Sequence, residues 1–99
     1  MDNYQRDAEA LTLAAETLKA MAHPVRLCIL RGLMQQGACN VTKMQSCLGM
    51  PQSTVSQHLA KLRTAGLIAG ERQGTEVIYR IKSPIVEEII RAALRSAQP

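Results

Sequence analysis

Apolar positions recur at helical spacing through most of the chain and change to a strand-like pattern only between residues 67 and 81. From Asp7 to Ala22 they fall at Ala8, Leu11, Ala14 or Ala15, Leu18, Met21 and Ala22, a stripe wide enough to bury against a second surface. From Pro24 to Gly37, Val25, Ile29 and Leu33, with Leu30 and Met34 beside them, define another helix. Arg26 and Arg31 should face away from that stripe, toward phosphate or acidic partners. His23 precedes Pro24, and the residue before a proline is pushed out of helical geometry, so His23 reads as a junction residue rather than a metal ligand.

Val41 to Leu48 repeats apolar residues at Val41, Met44, Cys47 and Leu48, a short helix. Gly49-Met50-Pro51 follows, where glycine can take the left-handed conformation that closes one helix and proline suits the first turn of the next. The stretch from Pro51 to Gly66 places Val55, Leu59 and Leu62 on one side at about 100° per residue. Its other side carries Ser53, Thr54, Gln57, Lys61 and Thr64. Two short helices joined by a tight turn make a helix-turn-helix. None of the outer side chains would hold the backbone far from base edges; Gln pairs with adenine, and Ser or Thr with several bases or with phosphate.

Leu67 to Glu71 and Val77 to Ile81 read as strands flanking Arg72-Gln73-Gly74-Thr75-Glu76, with Gly74 supplying the positive φ of a hairpin tip. A hairpin directly after such a helix is a wing. Ser83-Pro84 then opens a last helix whose inner positions are Ile85, Val86, Ile89, Ile90, Ala93 and Leu94. The expected fold is mainly α with a small β-hairpin, a winged helix-turn-helix in the order α-α-α-α-β-β-α, filling residues 1–99 as one domain. With a core this small, the terminal helices, about 7–22 and 84–96, are expected to form a homodimer through Leu11, Leu18, Ile85, Ile89, Ile90 and Leu94. The alternative is that both merely complete the chain's own core.

Twelve basic against eight acidic residues leave a net charge of +4, compatible with duplex DNA. With no Trp or Phe and only two Tyr, binding of single strands by base stacking has little support. No run approaches the roughly 18 apolar residues of a membrane span, and the polar, acidic start MDNYQRDAEA is unlike a secretory signal. The expected location is the cytoplasm, with no membrane partner.

The segments LKAMAHPVRLCILRGL at 18–33, NVTKMQSCLGMPQSTVSQHLAKLRTAGLI at 40–68 and RQGTEVIYRI at 72–81 together resemble the ArsR/SmtB family of winged-helix repressors. The resemblance covers most of the chain in the right order. It implies a bacterial homodimer on a two-fold symmetric, palindromic operator, released by an inducer whose identity the sequence does not give. Carried over by position, Gln52, Ser53, Thr54, Ser56, Gln57, His58 and Lys61 lie in or beside the major groove. Arg72, Gln73 and Thr75 lie on the wing.

Metal-sensing members of that family carry Cys-x-Cys before the turn, where this chain has Asn40 and Thr42, and an amide and a hydroxyl cannot replace thiolates for soft metals. A second family site uses Asp and His along the last helix, and neither residue type occurs from Ser83 onward. No metal and no cofactor is therefore expected, and the NVT and PQSTVSQHL segments are similar to the metal-independent, PagR-like and HlyU-like branch. Cys28, Cys39 and Cys47 remain. One reading makes a pair of them a sensor of oxidants, sulfane sulfur or electrophiles; the other makes them small buried hydrophobes, as Cys47 at an apolar helix position implies. Cys39, just before a helix N-terminus, is the position whose field favours a thiolate. His58, about 60° from the inner edge of its helix, either touches the groove or packs at the helix boundary.

An enzyme needs a nucleophile, base or metal held in a concave site. Two histidines distant in sequence, without a Gly-rich phosphate loop or metal-ligand cluster, point away from one. A winged helix used for protein contact is the stronger rival, yet such a face should carry aromatic or large apolar anchors, which the outer side of the Pro51–Gly66 helix lacks.

Overall fold

The computed structural model describes residues 3–97, so residues 1, 2, 98 and 99 of the expected domain lie outside the described residues. Helix α1 runs Tyr4–Met21 and α2 Pro24–Gln36, followed by a two-residue strand β1, Cys39–Asn40. Helix α3 is Val41–Leu48 and α4 Gln52–Thr64; strands β2, Ile68–Gln73, and β3, Glu76–Ile81, lead to α5, Pro84–Ala97. Strand β1 departs from the expected order. It pairs antiparallel with β3, Cys39 opposite Tyr79 and Asn40 opposite Ile78, and makes β3 the centre of a three-stranded sheet ordered β1-β3-β2.

Local chemistry sets the helix ends. His23 takes an extended conformation before Pro24, and its Nδ1 accepts the Val25 N–H at 3.1 Å, capping α2. Asn40 does the same for α3, its Oδ1 accepting the Lys43 N–H at 2.7 Å. Gly49 closes α3 in the left-handed region at φ +66°, a conformation in which a Cβ would be strained. The hairpin is tighter than expected. Gln73 pairs with Glu76, leaving only Gly74-Thr75 at the tip, and positive φ at Gly74 alone fits a type II′ turn. Arg72 and Gln73 thereby become strand residues. Gly70 lies opposite Tyr79, where a Cβ would come within 2.9 Å of the buried ring, so side-chain space rather than backbone freedom reserves that position.

The core forms where α2, α4 and α5 meet the inner face of the sheet. Leu30, Leu59, Leu62, Ile68, Ile90, Val55 and Val86 are fully buried there, with Met21, Leu33, Met44 and Tyr79 around them. The expected inner edge of α4 is thus the face that anchors it. Ile90 corrects the expected interface: at 1 % exposure it belongs to the chain's own core, because α5 packs one side against α2. Ile89 and Leu94 are half-buried against the same core. What stays uncovered is the flank of α1. Leu11 is 49 % exposed, Leu18 52 % and Leu13, absent from the expected set, 59 %, with Ile85 of α5 also exposed. Among the described residues no helix is long and apolar enough to cross a membrane.

Candidate nucleic-acid interface

Helix α4 has two unlike sides, fixed by what each touches. With Val55, Leu59 and Leu62 in the core, Gln52, Ser53, Ser56, Gln57, Lys61 and Thr64 all stand exposed. Residues 53, 56, 57, 60, 61 and 64 recur at helical spacing, so they form one stripe along the helix. Ala60 in its middle keeps the stripe low. Thr54 is half-buried, at the edge of that stripe. Arg72, Gln73 and Thr75 are exposed on the wing, Arg72 and Gln73 at the end of β2 and Thr75 at the tip.

His58 turns the other way. Its ring lies 4.4 Å from that of His23, centroid to centroid, and its Nδ1 is 3.4 Å from Arg26 Nη1. A guanidinium can only donate, so this nitrogen must be free of a proton to accept. Burial lowers the His58 pKa from its ordinary value, and the neighbouring charges of His23, Arg26 and Lys61 push in the same direction. A histidine of depressed pKa lets the unfolded chain bind its proton first as acid is added. Stability is therefore full above about pH 6.5, the unfolded value, and falls as pH drops through that value toward the folded one. Thermal unfolding from pH 7.5 to 5.5 should give a falling midpoint, and His58→Gln should flatten the fall; equal slopes would remove His58 as its source.

Arg26 corrects the expectation that it faces phosphate. It is 9 % exposed, and its Nε donates to the Ala20 carbonyl at 2.5 Å and its Nη2 to the Lys19 carbonyl at 3.5 Å. It caps the end of α1. Arg31, by contrast, is exposed, with Nη2 3.9 Å from Cys28 Sγ. Sequence reasoning also missed Asn40 as a structural hub. Besides capping α3, its Nδ2 donates to Glu76 Oε1 at 3.2 Å, tying the first helix of the helix-turn-helix to the wing. An Asn ahead of a helix was a readable cap signal, but its partner thirty-six residues on was not.

The cysteines divide differently from expectation. Cys47 is exposed rather than buried, since α3 turns Met44 inward and Leu48 half inward while Cys47 points off that arc. Burial raises the Cys39 pKa, against the opposing pull of Lys43, and its Sγ donates to the Asn40 carbonyl at 3.4 Å. That corrects the expected thiolate: desolvation outweighs the lowering by Lys43 and by the Asn40 backbone, so burial disfavours the charged form of Cys39.

A family model described as a helix-turn-helix domain matches residues 21–71, from the end of α1 to the wing. The transcriptional repressor PagR of Bacillus anthracis is 51 % identical over 77 residues, spanning 78 % of this chain and 77 % of that protein. Its crystal structure superposes with a TM-score of 0.80, covering 87 % of this chain and 98 % of that one. The chain belongs to the ArsR/SmtB family of winged-helix transcriptional repressors. HlyU from Vibrio cholerae is similar as well, at a TM-score of 0.81 and 36 % identity over 87 % of this chain and 92 % of the other. A Mycobacterium bovis protein, described as a homodimeric winged helix-turn-helix DNA-binding domain, gives 0.81 and 34 % identity over 93 % of this chain and 84 % of the other. The PagR-like and HlyU-like resemblance therefore stands. The exposed stripe on α4 and the exposed wing residues lie within or directly after the segment that the helix-turn-helix model matches.

Proposed function

We propose that this chain is a single-domain, cytoplasmic repressor that binds a palindromic operator as a homodimer, reading bases with α4 and clamping the backbone with the wing. The observation that carries this reading is the stripe of Ser53, Ser56, Gln57 and Lys61, exposed together on a helix whose opposite side is locked in the core. Each α4 would enter a major groove, the two half-sites about 34 Å apart on one side of the duplex. The exposed leucines of α1 supply an apolar surface for a second copy, and the Mycobacterium bovis relative is described as homodimeric. The action is binding, without catalysis, metal or cofactor: the residues aligned with the family's thiolate site are Asn40, engaged with Lys43 and Glu76, and Thr42. No aromatic or bulky apolar anchor marks the outer side of α4 as a protein-docking face.

The test is a titration against genomic fragments, including the region upstream of its own gene, at two salt concentrations. Gln57→Ala should relax base preference, at a cost of about 1–3 kcal/mol on the preferred site. Lys61→Ala should weaken all sequences alike and reduce the salt slope by about one phosphate contact. Operator binding unchanged in both variants would remove α4 as the reading surface.

A further inference from the structure

All three cysteines of the chain line one cleft, although they lie on three separate elements: Cys28 on α2, Cys39 on β1 and Cys47 on α3. The cleft has a volume of about 190 Å³, with apolar walls that include Leu33 and Met44 and the cationic Arg31 among its lining residues. Its thiols do not converge on one point, for among the described residues no trio of His, Cys, Asp or Glu is placed to hold a metal ion. Three thiol-bearing residues on separate walls of a largely apolar space fit an organic ligand better than an ion. The walls also belong to elements joined to α4 and the wing. Helix α3 packs on α4, and Cys39 pairs across the sheet with Tyr79 of the wing strand β3.

We propose that this cleft captures a small, flat, thiol-reactive electrophile of the quinone class through Cys47, and that the adduct releases DNA. The effect on DNA rests on the repressor reading; the chemistry of the cleft does not. Cys47 is the exposed thiol of the three, whereas burial disfavours the charged form of Cys39. Its sulfur adds to a ring carbon of the quinone, forming a C–S bond as the ring π pair moves onto a carbonyl oxygen. The thiol proton passes to that oxygen through solvent, and the ring proton at the new bond moves to the other oxygen, leaving an S-linked hydroquinone. The quinone is the species reduced, so no further oxidant or reductant enters. Arg31, which lines the same cleft with its Nη2 3.9 Å from Cys28 Sγ, offers a guanidinium for the oxygen that gains charge, and the apolar walls hold the ring. The adduct would fill space that α2, β1 and α3 share and so separate α3 from α2.

The full-length protein is treated with p-benzoquinone and, separately, with iodoacetamide, which shares the thiol chemistry but not the ring. Intact mass and peptide mapping follow the site and rate, and an operator fragment reports DNA binding. Cys47 should react with quinone faster, relative to its iodoacetamide rate, than glutathione does by about tenfold, equivalent to about 1.4 kcal/mol. Arg31→Gln should slow only the quinone reaction, and Cys47→Ser should bind DNA normally and resist release. A quinone preference equal to that of glutathione, or mapping of the first adduct to Cys28 or Cys39, overturns the site. An adducted protein that binds DNA unchanged overturns the release. If the untreated protein binds no fragment yet Cys47 shows the quinone preference, the cleft is sustained and the repressor reading fails instead.

Discussion

Arg26→Ala is expected to cost about 2–3 kcal/mol of folding stability and to weaken DNA binding without touching the reading surface. The guanidinium is nearly buried and holds two carbonyls at the end of α1, those of Lys19 and Ala20, while its remaining arm reaches His58 on α4. Truncation leaves the Ala20 carbonyl without its side-chain donor and the Lys19 carbonyl with only the Ala22 N–H, and removes a buried aliphatic stem where α1, α2 and α4 come together. Arg26→Lys should recover only part of the loss, because a single ammonium cannot serve two carbonyls and the ring in the fixed geometry of a planar fork. Urea unfolding of the three proteins gives the stability order. Operator titration alongside His58→Gln tests whether the link to α4 matters for reading: a full loss of stability with unaltered affinity would make Arg26 a structural cap and nothing more.

This arginine also marks where sequence reasoning stops. Helices α2, α3 and α4 were legible because each presents an apolar stripe of the right period and two of the breaks before them carry readable signals, His23-Pro24 and Gly49-Met50-Pro51. A basic residue off such a stripe is expected in solvent, and only the return of α1's last turn over α2 gives Arg26 carbonyls to bind. Strand β1 was hidden for a related reason. Two residues carry no periodicity, and their partners Ile78 and Tyr79 become neighbours only after the hairpin has formed. Cys39 shows two influences of opposite sign, burial and the Lys43 charge, and their balance depends on packing that the local sequence does not reveal. On α4, by contrast, residue types and spacing alone separated most inner residues from outer ones, because one helix side is core and the other, apart from Ala60, carries polar residues. His58 lay at the border between them, and its direction was decided by His23 and Arg26.

Leu11→Glu combined with Leu18→Glu is expected to lower operator affinity by about 10²–10⁴-fold while each subunit stays folded. Both leucines are about half exposed on a helix that gives the core little beyond Met21, so charge there costs the single chain little. In the proposed dimer the same positions would meet apolar surface, where two desolvated carboxylates per subunit would oppose association. The consequence for DNA follows from linkage rather than from any lost contact with bases. When one half-site is engaged, the partner's α4 meets the second at an effective concentration set by the dimer, and separating the subunits removes that gain. The doubly substituted protein should therefore sediment as a monomer, retain the helical signal of the parent and bind a full operator no better than an isolated half-site. Leu13, the most exposed of the three leucines, supplies the internal comparison. If Leu13→Glu dissociates the dimer and the Leu11 and Leu18 pair does not, the contact runs along a different stripe of α1 from the one its periodicity marks out.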